Sequence, residues 1–361
     1  MNRTPFAATK LVLPDEQGQE AVLVLVRAAF SARGPDPLRP ADPQPEIPLG
    51  DIYVAPERPE SSSILHEAEV ALHKPRVDVL LSGSARSPAG HSATQLRVEL
   101  AVADIRKELM VSGDRDWTLS VLGRRPSSPR PFLAMPLVYE RAFGGSIRNP
   151  QGEIVRVDAR NPLGIGFEGA RSADPQVASL LPNIEYLRDR MDDPDDRPVP
   201  AGLGVVGRGW LPRLPLAGTY DDRWRARRWP LLPEDFQPEH YQCAPRDQQS
   251  ATLVGGETVR VRQVTESGDW QFRLPRLDVP VTLMFDGAVE HAVPRLDTVL
   301  IDADREEVSM TLRLCVRTRR NRGLLREIVV GHATPAYLRA SGAGKRFIDW
   351  SGGRSRVPCH D

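Results

Sequence analysis

The sequence predicts a mainly β protein: two packed antiparallel β-sheet subregions, sandwich-like, with a long loop-rich central region and few short helices. Three observations predict it. Apolar residues recur with period two in several stretches, helical patterns of any length are scarce, and 34 prolines in 361 residues, nearly double the usual ~5%, punctuate the chain. Period two sends alternate side chains to opposite faces, so each stretch reads as a strand with one covered face. Sheets of that kind need a second layer.

In chain order, Val22 to Ala28 is the first strand-like stretch. Gly34 to Pro48 is low in complexity, and its spaced prolines suit an extended linker or a segment covering a sheet edge. Arg76 to Ala85 carries the mixed run Val77, Val79, Leu80, Leu81 before Gly83. Leu96, Val98, Leu100 and Val102 alternate with Arg97, Glu99 and Ala101. From roughly Pro126 to Gln249, proline, glycine, tryptophan and aspartate interrupt every element before it reaches ten residues. A structureless loop of that length is unusual, so a compact set of ordered loops and short strands carried by the sheets is expected. Val259 to Val264, Leu277 to Phe285 and Val308 to Val316 return to strand periodicity, and the last of these puts Cys315 on its polar, accessible face. Short helices are expected only at Pro175 to Leu181, Pro233 to Tyr241 and Pro335 to Ala340. The reading is one β-rich unit over residues 1–320, in two intimate subregions, followed by an extension over 321–361 that ends in a partly flexible, basic, glycine-containing tail.

Composition narrows function. Hydrophobic residues at 40% exclude disorder of the whole chain, and 48 basic against 48 acidic residues give no net field for nucleic acid or anionic lipid. No apolar run approaches the ~20 residues of a membrane helix, and Met1 to Lys10 has no secretory pattern, so neither nucleic acid nor membrane is expected as a partner and the location is expected to be cytoplasmic. Cys243, Cys315 and Cys359 are too few and too scattered for a disulfide framework or a two-pair zinc site.

Four places in the sequence offer candidate chemistry. Asp192, Asp193, Asp195 and Asp196 lack the glycine and distal glutamate of a calcium loop and read as a solvated turn. His240 and Cys243 have half of a zinc spacing with no second half. Glu140, Asp221, Asp235 and Asp247 are candidate acid–base carboxylates, but their turn contexts favour bonds to backbone amides. Gly202 to Gly207 precedes Trp210 and Pro212, where a nucleotide loop would precede a helix. No metal and no cofactor follow. The remaining signal is a density of aromatic and arginine residues in the central loops: Tyr139, Arg141, Phe143, Trp210, Arg213, Tyr220, Asp221, Trp224 and Phe236 are candidate partner-binding residues, since Tyr, Trp and Arg dominate interface hot spots. Packing beneath the loops is the competing reading.

Particular segments then point further. Lys74-Pro75-Arg76-Val77-Asp78-Val79, Gly113 to Trp117, Met135 to Gly145, Asn161-Pro162-Leu163-Gly164, Leu181 to Glu185, Pro200-Ala201-Gly202, Ala217 to Asp221, Leu232 to Phe236 and Ala244 to Gln249, in this order, resemble the bacterial family called domain of unknown function 2169. The resemblance covers about Val22 to Arg317. It implies a non-enzymatic cytoplasmic adaptor or chaperone of type VI secretion that binds a cognate toxic effector and helps load it onto the VgrG spike or PAAR tip protein. It brings no catalytic residues. The alternative is a hydrolase acting on a glycan or peptide through the loop carboxylates.

Overall fold

A computed structural model describes residues 1–34, 37–88, 91–121, 123–167, 180–317, 323–342 and 345. Strand makes up 41% and helix 9%, and among the described residues no helix is long and apolar enough to cross a membrane. The main sheet runs Ala7–Pro14, Glu20–Ser31, Glu307–Arg317, Arg295–Asp302, Val77–Ser82, Gln249–Ser250. Its neighbours are antiparallel except for Arg295–Asp302, which lies parallel to Val77–Ser82. Strands from both ends of the chain therefore share one sheet, Glu20–Ser31 pairing residue by residue with Glu307–Arg317. The hairpin between the first two strands closes on Asp15, whose Oδ1 accepts the amides of Gln17 and Gln19, both at 2.9 Å, with Gly18 at φ +76°.

A second, wholly antiparallel sheet runs Ile184–Tyr186, Ile105–Ser112, Gln95–Val102, Thr258–Arg262, Asp269–Arg273. Alternate residues of the two sheets meet in one core: Val22, Val24, Val26, Val79, Leu81, Val299 and Ile301 from the first, Val98, Leu100, Leu109, Val111, Val259, Val261 and Phe272 from the second. This is the expected sandwich. A third sheet, Ala288–Ala292, Val281–Phe285, Leu325–Val330, continues from it, and the amino-terminal residues run along its far edge, with Arg3 N donating to Val330 O at 2.8 Å. The strand Leu325–Val330 and the helix Pro335–Gly342 belong to the region read as an extension, yet the strand is paired into this sheet. The basic tail lies outside the described residues, as does nearly all of the helix expected at Pro175 to Leu181.

The described part of the segment Gly34 to Pro48 acts as an edge cover. Arg39–Pro40 pairs with Phe30 and Ser31, and the Gln44 amide exchanges two 2.9 Å bonds with the backbone of Ala29. The helix expected over Pro233 to Tyr241 is instead a 3₁₀ turn at Pro238–Tyr241, because the residues before it are taken up by contacts with Thr219 and Leu216.

One expectation is overturned in an instructive way. The main sheet is not covered on one face: Glu20–Ser31 is buried from Ala21 to Phe30, and Val77–Ser82 is buried over its first five residues. Its second face lies under the central loops, where Leu80 and Leu300 pack on Val205, Cys243 and Ala244. That face also holds charge. Asp78, fully buried, accepts from Lys74 Nζ (3.1 Å), Gln242 Nε2 (2.7 Å), Cys243 N (2.9 Å) and Ala244 N (3.2 Å). Arg313 donates to Glu69 Oε2 (2.8 Å), to the carbonyls of Glu69 and Ala71 (2.7 and 2.6 Å), and to Asp297. Arg27 reaches Glu46 O (3.1 Å) and His66 Nδ1 (3.4 Å). Each charge on the strand thus holds a piece of loop.

Removing one partner strands the other without water, a loss of about 3–5 kcal/mol. Asp78→Ala is expected to lower unfolding stability by that amount in urea denaturation, whereas Arg326→Ala, which breaks an exposed, solvent-screened pair with Asp286, is expected to leave it nearly unchanged. Comparable losses would overturn this account.

His66 adds a pH dependence. Burial, and then the Arg27 charge, hold its pKa down at about 4 against an ordinary 6.5, and the neutral ring can accept from Arg27. Between those values the unfolded chain binds the extra proton, so stability falls as pH drops from 6.5 towards 4. His66→Asn, which can accept the same bond without titrating, is expected to lose less stability over this window than the wild type. Identical pH profiles would remove His66 as a cause.

Candidate functional site

The nine aromatic, arginine and aspartate candidates separate into an inner and an outer group. Tyr139, Phe143 and Arg213 are buried. Tyr139 packs edge-on against the half-buried Trp210, with centroids 5.3 Å apart, and Arg160 lies over the Phe143 ring at 5.7 Å. Half-buried Arg141 donates to Asn183 Oδ1 at 3.1 Å. These side chains hold loops to one another. Two glycines of the run Gly202 to Gly207 belong to the same packing: a Cβ on Gly202 would stand 2.4 Å from the Tyr139 ring, and one on Gly207 would stand 2.7 Å from the Trp210 indole, whereas Gly204 has open space at that position. Close approach of rings to backbone explains Gly202 and Gly207.

The outer group sits on a lobe spanning about 211–241. Its root is Arg213, which donates to both Glu67 carboxylate oxygens (3.0 and 3.1 Å), to Val206 O (2.5 Å) and to His240 O (2.7 Å). Arg208 shares Glu67 at 3.0 Å and reaches Asp51 at 2.9 Å. Further out, Asp221 caps the helix Asp222–Arg227 by accepting Trp224 N at 2.7 Å. Trp224 is half-buried, its Nε1 bonded to Leu231 O at 2.9 Å, and Tyr220 stands edge-on to it at 4.7 Å. Phe236 is half-buried beside Tyr241, at 5.2 Å. Leu231 rests on Gly18 and Arg228 donates to Glu16 O, so the lobe leans on the first hairpin.

What this lobe shows to solvent is Tyr220, 52% exposed, and Trp229, 67% exposed, beside the exposed Arg223, Arg225 and Arg227. No ion pair holds those three arginines among the described residues. The arginines were not among the sequence candidates, although the signal is present: Asp221 and Asp222 before Arg223-Trp224-Arg225-Ala226-Arg227 is an acidic start and basic end suited to a helix dipole. An aromatic and cationic surface on a short, pinned helix can bind a partner through stacking, cation–π contact and guanidinium hydrogen bonds.

The other candidate chemistry is already committed elsewhere. Glu140 accepts from Ser63 N at 2.6 Å and from the Ser63 hydroxyl. Asp235 accepts from Thr219 N (2.9 Å) and Oγ1 (2.8 Å), and Asp247 from Lys107 Nζ (2.9 Å) and Tyr186 (3.4 Å). Asp196 and Asp193 accept amides of their own turn. His240 Nδ1 lies 3.1 Å from Arg213 O, while Cys243 lies beside Asp78, 3.4 Å away, and burial pushes its thiol pKa well up. Among the described residues no three His, Cys, Asp or Glu side chains gather as a metal site.

Several segments singled out by resemblance meet pairwise in the interior. Asn161, fully buried, donates to Tyr139 O (2.8 Å) and Phe143 O (3.0 Å), and Gly144 passes so close that a Cβ would stand 2.2 Å from Asn161 O. Arg115 pairs with Glu185 at 2.7 Å, and Gln248 donates to Val79 O at 2.7 Å. A family model described as an uncharacterized protein conserved in bacteria (DUF2169) matches residues 17–313. No curated protein and no solved structure matches the chain.

Glu67→Ala removes the carboxylate from buried Arg213 and is expected to cost about 3–5 kcal/mol. Because the pair roots the lobe, hydrogen exchange should accelerate across about 206–242 before it does so in Glu20–Ser31. Uniform acceleration of both would contradict the lobe's dependence on this pair.

Proposed function

The chain belongs to the DUF2169 family of bacterial proteins, and from that premise we propose that it is a non-enzymatic adaptor of type VI secretion, acting in the cytoplasm. It binds a cognate effector toxin and helps load it onto the VgrG spike or PAAR tip protein. The secretion role rests on the family resemblance. The observation that supports a binding function most directly is the exposed Tyr220 and Trp229 on a lobe fixed by a buried ion pair, together with Arg223, Arg225 and Arg227, which no ion pair holds among the described residues. Large aromatics held in place lose little freedom on binding, and that arrangement favours hot spots.

The hydrolase alternative needs two carboxylates facing one cleft. Glu140, Asp221, Asp235 and Asp247 each accept hydrogen bonds from separate partners, an arrangement that favours the adaptor.

Deleting the protein is expected to abolish export of one effector while Hcp release, the sign of needle assembly, continues. In the intact chain, Tyr220→Ala or Trp229→Ala is expected to weaken effector capture by about 2 kcal/mol or more, roughly thirtyfold, with an unchanged melting temperature. Trp224→Ala is expected to lower the melting temperature as well, because its indole holds Leu231. Normal effector export from the deletion strain would overturn the proposal.

A further inference from the structure

The main and third sheets part company at a groove. Arg295–Asp302 pairs with Glu307–Arg317 only as far as Arg313. Beyond it, residues 314–317 remain paired with Glu20–Ser31 on one side and with no described strand on the other. Across the gap, Ala288–Ala292 is an edge strand, paired among the described residues with Val281–Phe285 alone. The cavity between the two edges has a volume of about 600 Å³, with Leu314, Cys315 and Val316 on one wall and Glu290, Ala292 and Val293 on the other. Unpaired strand edges carry rows of backbone donors and acceptors that an added strand can satisfy.

The charges at the groove select the occupant. Arg317 is held by Asp15 at 3.0 Å and approaches Glu16 at 3.9 Å, and Arg313 is held by Asp297 and Glu69. Lys74 is buried against Asp78, and Glu290 is half-buried and engaged. Arg76 and Arg295 also line the groove; both are exposed, and among the described residues neither side chain has a hydrogen-bond or ion-pair partner. The cationic side chains left over sit beside open backbone.

We infer that this groove is a docking site for an extended, acidic segment of a partner protein, which adds as a strand to the open edge at residues 314–317 and places carboxylates against Arg76 and Arg295. The inference does not depend on the adaptor reading, since neither Tyr220 nor Trp229 lines the groove. The occupant is a peptide strand because the walls offer main-chain hydrogen bonds along their length, and its charge follows from the two free guanidinium groups.

Cys315 supplies a reporter. Its side chain is exposed in the groove wall, whereas Cys243 is buried, so a Cys359→Ser chain can be alkylated selectively at Cys315. The probes are two fluorescein-labelled octapeptides, one alternating valine and glutamate, the other valine and lysine. The acidic peptide is expected to bind saturably and to slow alkylation of Cys315, and the basic peptide to do neither. Arg76→Glu/Arg295→Glu is expected to weaken the acidic peptide by about tenfold or more without lowering the melting temperature, and to raise binding of the basic one. Equal binding of both peptides, binding of the acidic peptide unaffected by the double variant, or binding that leaves Cys315 alkylation unchanged would overturn the proposal. Concentration-dependent dimerisation in sedimentation that the double variant abolishes would also overturn it, making the occupant a second copy. Normal effector export from the deletion strain, with peptide binding by the purified chain intact, would count against the adaptor reading alone.

Discussion

A sheet buried on both faces that still carries charges is the constraint on which this molecule turns. Asp78, Arg313, Asp297 and Arg27 stand on strands of the main sheet or directly beside them, out of reach of water. A buried ion without partners costs several kcal/mol, and apart from the Arg313–Asp297 pair within the sheet the partners of these ions among the described residues lie on the segments that cover it. Backbone amides of Cys243 and Ala244, carbonyls of Glu46, Glu69 and Ala71, and the side chains of Lys74 and Gln242 are drawn down onto the sheet in consequence. Such interactions specify one arrangement more than they add net stability. The apolar contact of the two sheets supplies the main drive to fold, and the ionic face decides how the loops lie.

That division explains how a long stretch with little regular structure is nonetheless ordered. Its backbone donors and acceptors still need partners once buried. Side-chain amides provide many of them: Asn161 for Tyr139 and Phe143, Asn183 for Ser112 at 3.1 Å, and Gln248 for Val79 and Leu203. Glycines allow chains to pass at van der Waals distance, as Gly144 does beside Asn161 and Gly202 does beside Tyr139. Several segments by which the family can be recognised are also the segments that make these bonds, so what resemblance detects in them is architecture.

The sheets were legible because alternation over Leu96 to Val102 and Val308 to Val316 records a core on one side. The second covered face of the main sheet was not. Leu23 and Leu25 are fully buried, yet a run such as Ala21 to Phe30 looks the same whether its outer side meets solvent-facing loops or a packed layer. Arg27 and Asp78 in those strands read as polar positions, and only their distant partners, 19 and more residues away, reveal them as buried. For the candidate site the sequence supplied residue types without depth. Tyr139 and Phe143 lie inside, Tyr220 lies outside, and no local pattern separates them. The arginines of the lobe were legible in principle from their order along a single helical turn.

The pairing of Glu20–Ser31 with Glu307–Arg317 has a consequence for how the chain is made. On a ribosome adding ~5–20 residues per second, the first of these strands emerges with an interval on the order of tens of seconds before its central neighbour exists. Throughout that interval the apolar run Ala21 to Phe30 is matched, among the described residues, only by Ala7–Pro14 and the short segment at Arg39–Pro40 and Gln44, and its other edge stays open to any passing strand. Vectorial synthesis therefore leaves the centre of the main sheet to be laid down last, and a chain interrupted before residue 307 would carry this apolar strand half-paired.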